Sequence, residues 1–255
     1  MDRLMQTFSD IWVLTQRNLI RYLRLPQLLV FNAVLNVVLL LLFNYVFGGA
    51  IQTGKESYIQ YFLPGFLAQI VVFGSTQTSV GIAEDFTKGF IDRFRSLPMA
   101  RPAFLTGRVI ADALRYLLLL LLLVAVGLIM GFRFHSGVPQ VVFALALIVL
   151  FGVALTWVGV FIGVSVKSVE TAQVAGFVWV FPLVFASSLY VPIATMPGWL
   201  QAFAKVNPLT PMADVTRSLM LGGGIADSLW KILAWDIGLI LLFTFLAFRR
   251  YNRLS

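Results

Sequence analysis

The residues able to do chemistry are few, and their spacing excludes more than it supplies. Gly49-Ala50-Ile51-Gln52-Thr53-Gly54-Lys55-Glu56 matches a phosphate-binding loop through its lysine. The next residue must be Ser or Thr to hold Mg²⁺, and Glu56 stands there. No strand pattern precedes it, so no ATPase is expected on this chain and no cofactor is expected to bind it. Cysteine is absent, which removes disulfides, thiolate–metal sites and thiol catalysis. His135 is the single histidine, so a multi-histidine metal site is excluded and a catalytic base has no partner. Asp112 and Arg115, three residues apart, are placed to pair on a helix. Asp236 follows Lys231 by about 7.5 Å of helix at about 1.5 Å per residue, near a membrane interface. Proton-driven transporters carry carboxylates at membrane depth, and the clearest apolar cores here hold none. No acid–base pair emerges, and the chain reads as a non-enzyme.

These groups sit in a chain that needs lipid as its solvent. Of 255 residues, 60% are hydrophobic and 12% charged, and mean hydropathy is +0.91. Soluble domains average about 45–50% apolar and about 25% charged. A hydrocarbon core about 30 Å thick takes roughly 20 apolar residues per helix. Six segments qualify: 28–47, 59–83, 109–131, 138–166, 171–191 and 231–248. They predict an all-α integral membrane protein with a single transmembrane domain over 1–255. The first segment exceeds a signal-peptide core of about 7–15 residues, so a retained helix is expected. Pro64 and Pro182 predict bends in the second and fifth.

Nineteen Lys and Arg against eleven Asp and Glu give a net charge of +8. In a membrane chain their placement matters more than their sum, and nucleic acid is not the expected partner. Fourteen of the nineteen fall on one side: thirteen before the first span, between the second and third, between the fourth and fifth, and after the sixth, with Arg115 near the start of the third. By the positive-inside rule both termini are cytoplasmic, in a multi-pass protein of the plasma (inner) membrane. Trp199, Trp230 and Trp235 then lie at the outer interface, where aromatic belts form.

Three segments are not spans. Residues 1–26 repeat Phe8, Ile11, Trp12, Leu19, Tyr22 and Leu23 at helical spacing among Arg17, Arg21 and Arg24. That pattern predicts an amphipathic helix on the cytoplasmic interface, with membrane lipid as its partner. Residues 84–101 form a charged cytoplasmic loop. At about 100° per residue, Phe86, Phe90, Phe94 and Leu97 share an arc of about 80°, while Lys88, Asp92 and Arg95 face the other way. A short helix ended by Pro98 is expected, able to lie on the membrane or dock in a partner's groove. Residues 192–230 predict two short outer helices, the second closed by Gly222-Gly223-Gly224.

Uncharged polar groups mark the first two spans: Asn32 and Asn36 one turn apart, Gln69 and Thr76 seven residues apart on one face. Such groups glue helices together or line a path for an amphipathic solute. Gly159 and Gly163 form a small-xxx-small pair in the fourth span.

The order of these elements resembles the ABC-2 type exporter permeases. Gly89-Phe90-Ile91-Asp92-Arg93-Phe94-Arg95-Ser96-Leu97-Pro98 is similar to the cytoplasmic loop of the daunorubicin-resistance branch, and Asn207-Pro208-Leu209-Thr210-Pro211 resembles the family's motif before the second outer helix. The resemblance implies a permease homodimer served by separate nucleotide-binding ATPase subunits, which bind the ATP and Mg²⁺. It makes residues 84–98 a coupling helix. Glu84, Asp85, Asp92, Arg93 and Arg95 become its polar contacts with the ATPase, and Phe86, Phe90 and Phe94 its anchors. Spans one, two and five would line the dimer seam and path, which brings Asn32, Asn36, Gln69 and Thr76 toward them. The implied activity is export of an amphipathic or hydrophobic drug, lipid or glycolipid, with drug or antibiotic resistance as one outcome. The competing reading is an ion channel or secondary transporter that works without an ATPase.

Overall fold

A computed structural model of the chain describes residues 2–24, 26–49, 57–90 and 101–253. Nine α-helices are present among the described residues: α1 (Asp2–Arg24), α2 (Pro26–Leu42), α3 (Tyr58–Thr87), α4 (Arg101–Ile129), α5 (Val138–Ser165), α6 (Val169–Phe185), α7 (Gly198–Val206), α8 (Leu209–Leu221) and α9 (Ala226–Arg253). A π-helical turn, Phe43–Phe47, prolongs α2. Five helices are long and apolar enough to cross a membrane, within 29–47, 58–87, 102–129, 138–165 and 227–253.

The fifth expected span is shorter than its hydropathy suggested. Helix α6 has 17 residues and stops at Phe185 rather than running to 191. Two features end it. Pro182 sits inside the helix and supplies no N–H. Beyond it, the Asn207 amide donates to the carbonyls of Leu183 and Ala186, each at 2.7 Å. Its Oδ1 accepts from the Leu209 amide at 2.9 Å. The Asn207-Pro208 pair thus caps one helix and turns the chain into the next.

Helix α3 is the axis of the bundle. It is the least apolar of the five long helices and the most buried, while α2 and α9 are more apolar and largely exposed. That inversion suits a lipid solvent. Apolar side chains gain nothing by leaving hydrocarbon, so small and polar groups go to the helix–helix contacts. Helix α5 lies closest along α3. Any Cβ on Gly159 would strike the Ser75 carbonyl, and one on Gly163 would come within 2.8 Å of the Ser79 carbonyl. The small-xxx-small pair is therefore the contact itself. A large core gathers around Phe62, Phe66, Tyr116 and Phe151. A second, at the C-terminal end of α3, gathers around Leu14, Phe104, Trp157 and Tyr251.

Helix α1 docks by its polar-edged face, burying Leu14, Thr15 and Asn18. Thr15 Oγ1 donates to the Gly107 carbonyl of α4 at 3.3 Å. Phe8 and Trp12 on its other face remain exposed. At the opposite end of α3, α8 terminates at Gly222, whose φ of +88° only glycine adopts freely.

Candidate functional site

Charged side chains collect where the C-terminal end of α3 meets α1. Arg17 and Arg21 lie one turn apart on α1 and share a face. The Arg21 guanidinium donates to Glu84 Oε2 at 2.6 Å and to Asp85 Oδ1 at 3.1 Å. Arg17 reaches Asp85 at 3.8 Å and lies 5.0 Å above the Phe90 ring. Lys88 bridges to Glu84 at 2.5 Å. Burial draws the Arg17 guanidinium below its ordinary value, against the pull of Asp85. Asp85 is 1% exposed, so its carboxylate is spent inside the chain. Glu84, Asp85 and Phe86 occupy the last turn of α3 rather than a separate helix, and Phe86 packs on the second core. Asp92, Arg93, Phe94 and Arg95 lie outside the described residues.

Next to this knot, Asp112 of α4 is wholly buried and fully partnered. It accepts from Arg108 Nε at 3.1 Å, Thr78 Oγ1 at 2.7 Å and Tyr22 Oη at 2.5 Å. Arg115 bridges to it at 3.0 Å. Burial and then Asp112 push the Tyr22 hydroxyl above its ordinary value, so it stays a donor. The sequence pointed to Asp112 and Arg115. Arg108, four residues before Asp112, carries the same helical signal but falls just before the expected span. Helix α4 starts eight residues before the expected span, which brings Arg108 into the bundle, where Gly81 leaves it room.

The far end holds another largely enclosed arginine, its side chain 12% exposed. Arg217 of α8 donates to the carbonyls of Tyr61 (2.8 Å), Ser188 (2.6 Å) and Leu189 (3.1 Å), pairs with Asp214 at 2.9 Å and lies 3.9 Å over the Tyr61 ring. Burial draws its guanidinium below the ordinary value, and Tyr61 and Asp214 oppose this. One side chain thus ties α8, α3 and the turn after α6. Sequence reasoning missed it, because the three carbonyls it satisfies leave no side-chain pattern.

The four polar span residues do not converge. Gln69 accepts from the Tyr190 hydroxyl at 2.5 Å near the Arg217 latch. Thr76 packs against Gly176 of α6, with its hydroxyl unpartnered. Asn36 donates to Asn32 within α2. Asn32, with Gln77, Arg21 and Arg115, lines a cavity of about 540 Å³ near the charged knot. Asp236 of α9 is 1% exposed, and neither carboxylate oxygen has a hydrogen-bond partner among the described residues. Its spacing from Lys231 sets a depth along the helix and carries no sign of this burial.

The ABC-2 type transporter family model matches residues 9–221. The chain is 34% identical over 246 residues to a daunorubicin resistance ABC transporter permease of Streptomyces coeruleorubidus, covering 96% of this chain and 86% of that protein. It is 26% identical over 227 residues to a probable doxorubicin resistance ABC transporter permease of Mycobacterium tuberculosis, covering 88% and 82%. The described helices, five of them long enough to cross a membrane, agree with those likenesses, and the chain belongs to the ABC-2 type transporter family as a multi-pass membrane permease.

Proposed function

We propose that the chain is the membrane half of an ATP-driven exporter that moves an amphipathic or hydrophobic substrate, with drugs the leading class and lipids or glycolipids the next. The ATP and Mg²⁺ belong to a separate nucleotide-binding subunit, and two copies of this chain form the permease. In this reading there are six crossings, α6 being the short one. Both termini are cytoplasmic, in the plasma (inner) membrane, and the exposed Phe8 and Trp12 of α1 rest in lipid.

One observation carries the coupling assignment. The Arg21–Glu84–Asp85 knot binds α1 to α3 directly before residues 91–98. A push on that segment reaches both helices at once. Asp92, Arg93 and Arg95 are then the outward contacts with the ATPase, Phe90 and Phe94 seat the segment, and Glu84, Asp85 and Phe86 transmit its motion. The experiment is co-purification from native membranes with a soluble ATPase, followed by drug transport in vesicles. Exchanging Asp92 and Arg95 for Ala is expected to abolish transport and leave insertion intact. Wild-type transport by that double variant overturns the assignment.

Asp236 favours a second reading, because a buried carboxylate without a partner is what a proton-coupled carrier uses. Solute flux driven by a pH gradient in vesicles holding this chain alone, lost in Asp236→Asn, would establish it.

A further inference from the structure

Two cavities near the α1 end of the bundle share a wall, and together they suit one kind of molecule. The larger, about 540 Å³, is lined by Arg21, Arg108, Arg115 and Glu84 together with Asn32 and Gln77. The smaller, about 390 Å³, is lined by aliphatic side chains such as Leu23, Ala33, Leu118 and Leu122, with Arg115 the one charged residue on its wall among those described. Tyr22, Leu29, Arg115 and Leu119 border both.

Asp112 stands behind Arg108 and Arg115, and the wall of the polar chamber itself carries three guanidinium groups and one carboxylate. That carboxylate, Glu84, is already held by Arg21 and Lys88, so a cationic head would find no open acceptor charge there. Arg115 is 8% exposed. Its Nη2 serves Asp112 and the Gly74 carbonyl, while its Nε has no hydrogen-bond partner among the described residues. An N–H without a partner in a buried site is costly, and a turn of the guanidinium into the chamber would offer it to a compact oxyanion for a charge-assisted bond. The aliphatic cleft on the same arginine accepts an alkyl chain.

We propose that this double cavity binds an amphiphile with a phosphate or similar oxyanion head, the head against Arg115 and the tail in the cleft beside Ala33. Its role as an export substrate site rests on the permease reading; the binding itself requires neither ATPase nor transport. A failure to bind therefore leaves that reading standing, and a failure to find an ATPase leaves the binding standing.

The test uses the full-length chain in phosphatidylcholine nanodiscs, with empty nanodiscs as control. Dodecyl phosphate is titrated, and bound phosphorus is measured after gel filtration. Saturation at one molecule per chain is expected, with no displacement by equal dodecyltrimethylammonium. Inorganic phosphate, lacking a tail, should compete only at about 100-fold excess. Arg115→Lys keeps the charge but loses Nε and should bind about tenfold more weakly. Ala33→Phe fills the cleft and should erase the advantage of dodecyl phosphate over inorganic phosphate. If Arg115→Lys does not fold, Ala33→Phe alone decides. Nanodiscs containing phosphatidylglycerol separate the sources. Loss of dodecyl phosphate binding there identifies a bilayer lipid, and undiminished binding identifies a single-chain amphiphile. Absence of saturable binding, equal displacement by the ammonium amphiphile, or unchanged affinity in the folded variants overturns the proposal.

Discussion

Two buried aspartates in one bundle show how partners decide the effect of a charge. Asp112 has two arginines, a tyrosine and a threonine around it; Asp236 has no hydrogen-bond partner among the described residues. Breaking a buried pair from one side leaves an uncompensated charge and typically costs about 3–5 kcal/mol. Asp112→Ala should therefore leave Arg108 and Arg115 stranded and sharply reduce the folded fraction, measured by size-exclusion after solubilisation. Asp236→Asn should do the opposite. It removes a charge that nothing pairs while keeping the shape, so the melting temperature is expected to hold or rise. A fall of several degrees would mean that Asp236 has an acceptor or donor in the assembled transporter. The sequence made the first aspartate half-legible, since the i, i+3 spacing to Arg115 is local. Tyr22 and Thr78 come from other helices, and no spacing rule brings them there.

At the scale of elements, hydropathy locates the long helices and periodicity locates α1, but neither marks where they end. Composition located the apolar segments, yet α4 began early and α6 stopped early, because charge pairing and capping set those limits rather than hydropathy. Glu84 and Asp85 looked like loop residues available to a partner. The structure uses them first to hold α1 against α3, since two arginines one helical turn apart on α1 meet two adjacent carboxylates on α3. If that brace passes motion between the helices, Arg21→Glu should lower ATP-driven transport at least about tenfold while insertion stays normal. Adding Glu84→Arg should recover part of the loss. Unaltered transport in the single variant would mean that α1 is a passive anchor. The α3–α5 contact is also legible and just as testable. Gly159→Leu must displace backbone, since even a Cβ strikes the Ser75 carbonyl, and is expected to abolish the folded, monodisperse species. Leu substituted at Gly238, where a Cβ meets nothing within 4 Å, should be tolerated.

For the whole molecule, the most buried helix lies close to exposed apolar ones, and that asymmetry bears on assembly. Helix α6 packs along α3 yet presents Val174, Val178 and Phe185 outward, and α2 presents Phe31 and Leu35. Helix α9 also presents apolar residues, among them Leu241, at 68% exposure, similar to the 69% of Val178. Exposure alone cannot separate a lipid face from a dimer seam, because both are apolar. The difference lies behind each face. The unpartnered Thr76 hydroxyl and the Asn32-lined cavity border α6 and α2, and a transport path between two copies would need such groups. The chain has no cysteine, so single-cysteine variants report proximity without background. Oxidation in native membranes is expected to cross-link two copies through Val178→Cys and not through Leu241→Cys. In an isologous contact residue i meets j and j meets i, and only positions at the twofold axis meet themselves, so the single variant reports a seam whose axis passes beside Val178. Cross-linking through Leu241→Cys instead would move the seam to α9 and leave the cavity beside α2 facing lipid rather than a second permease.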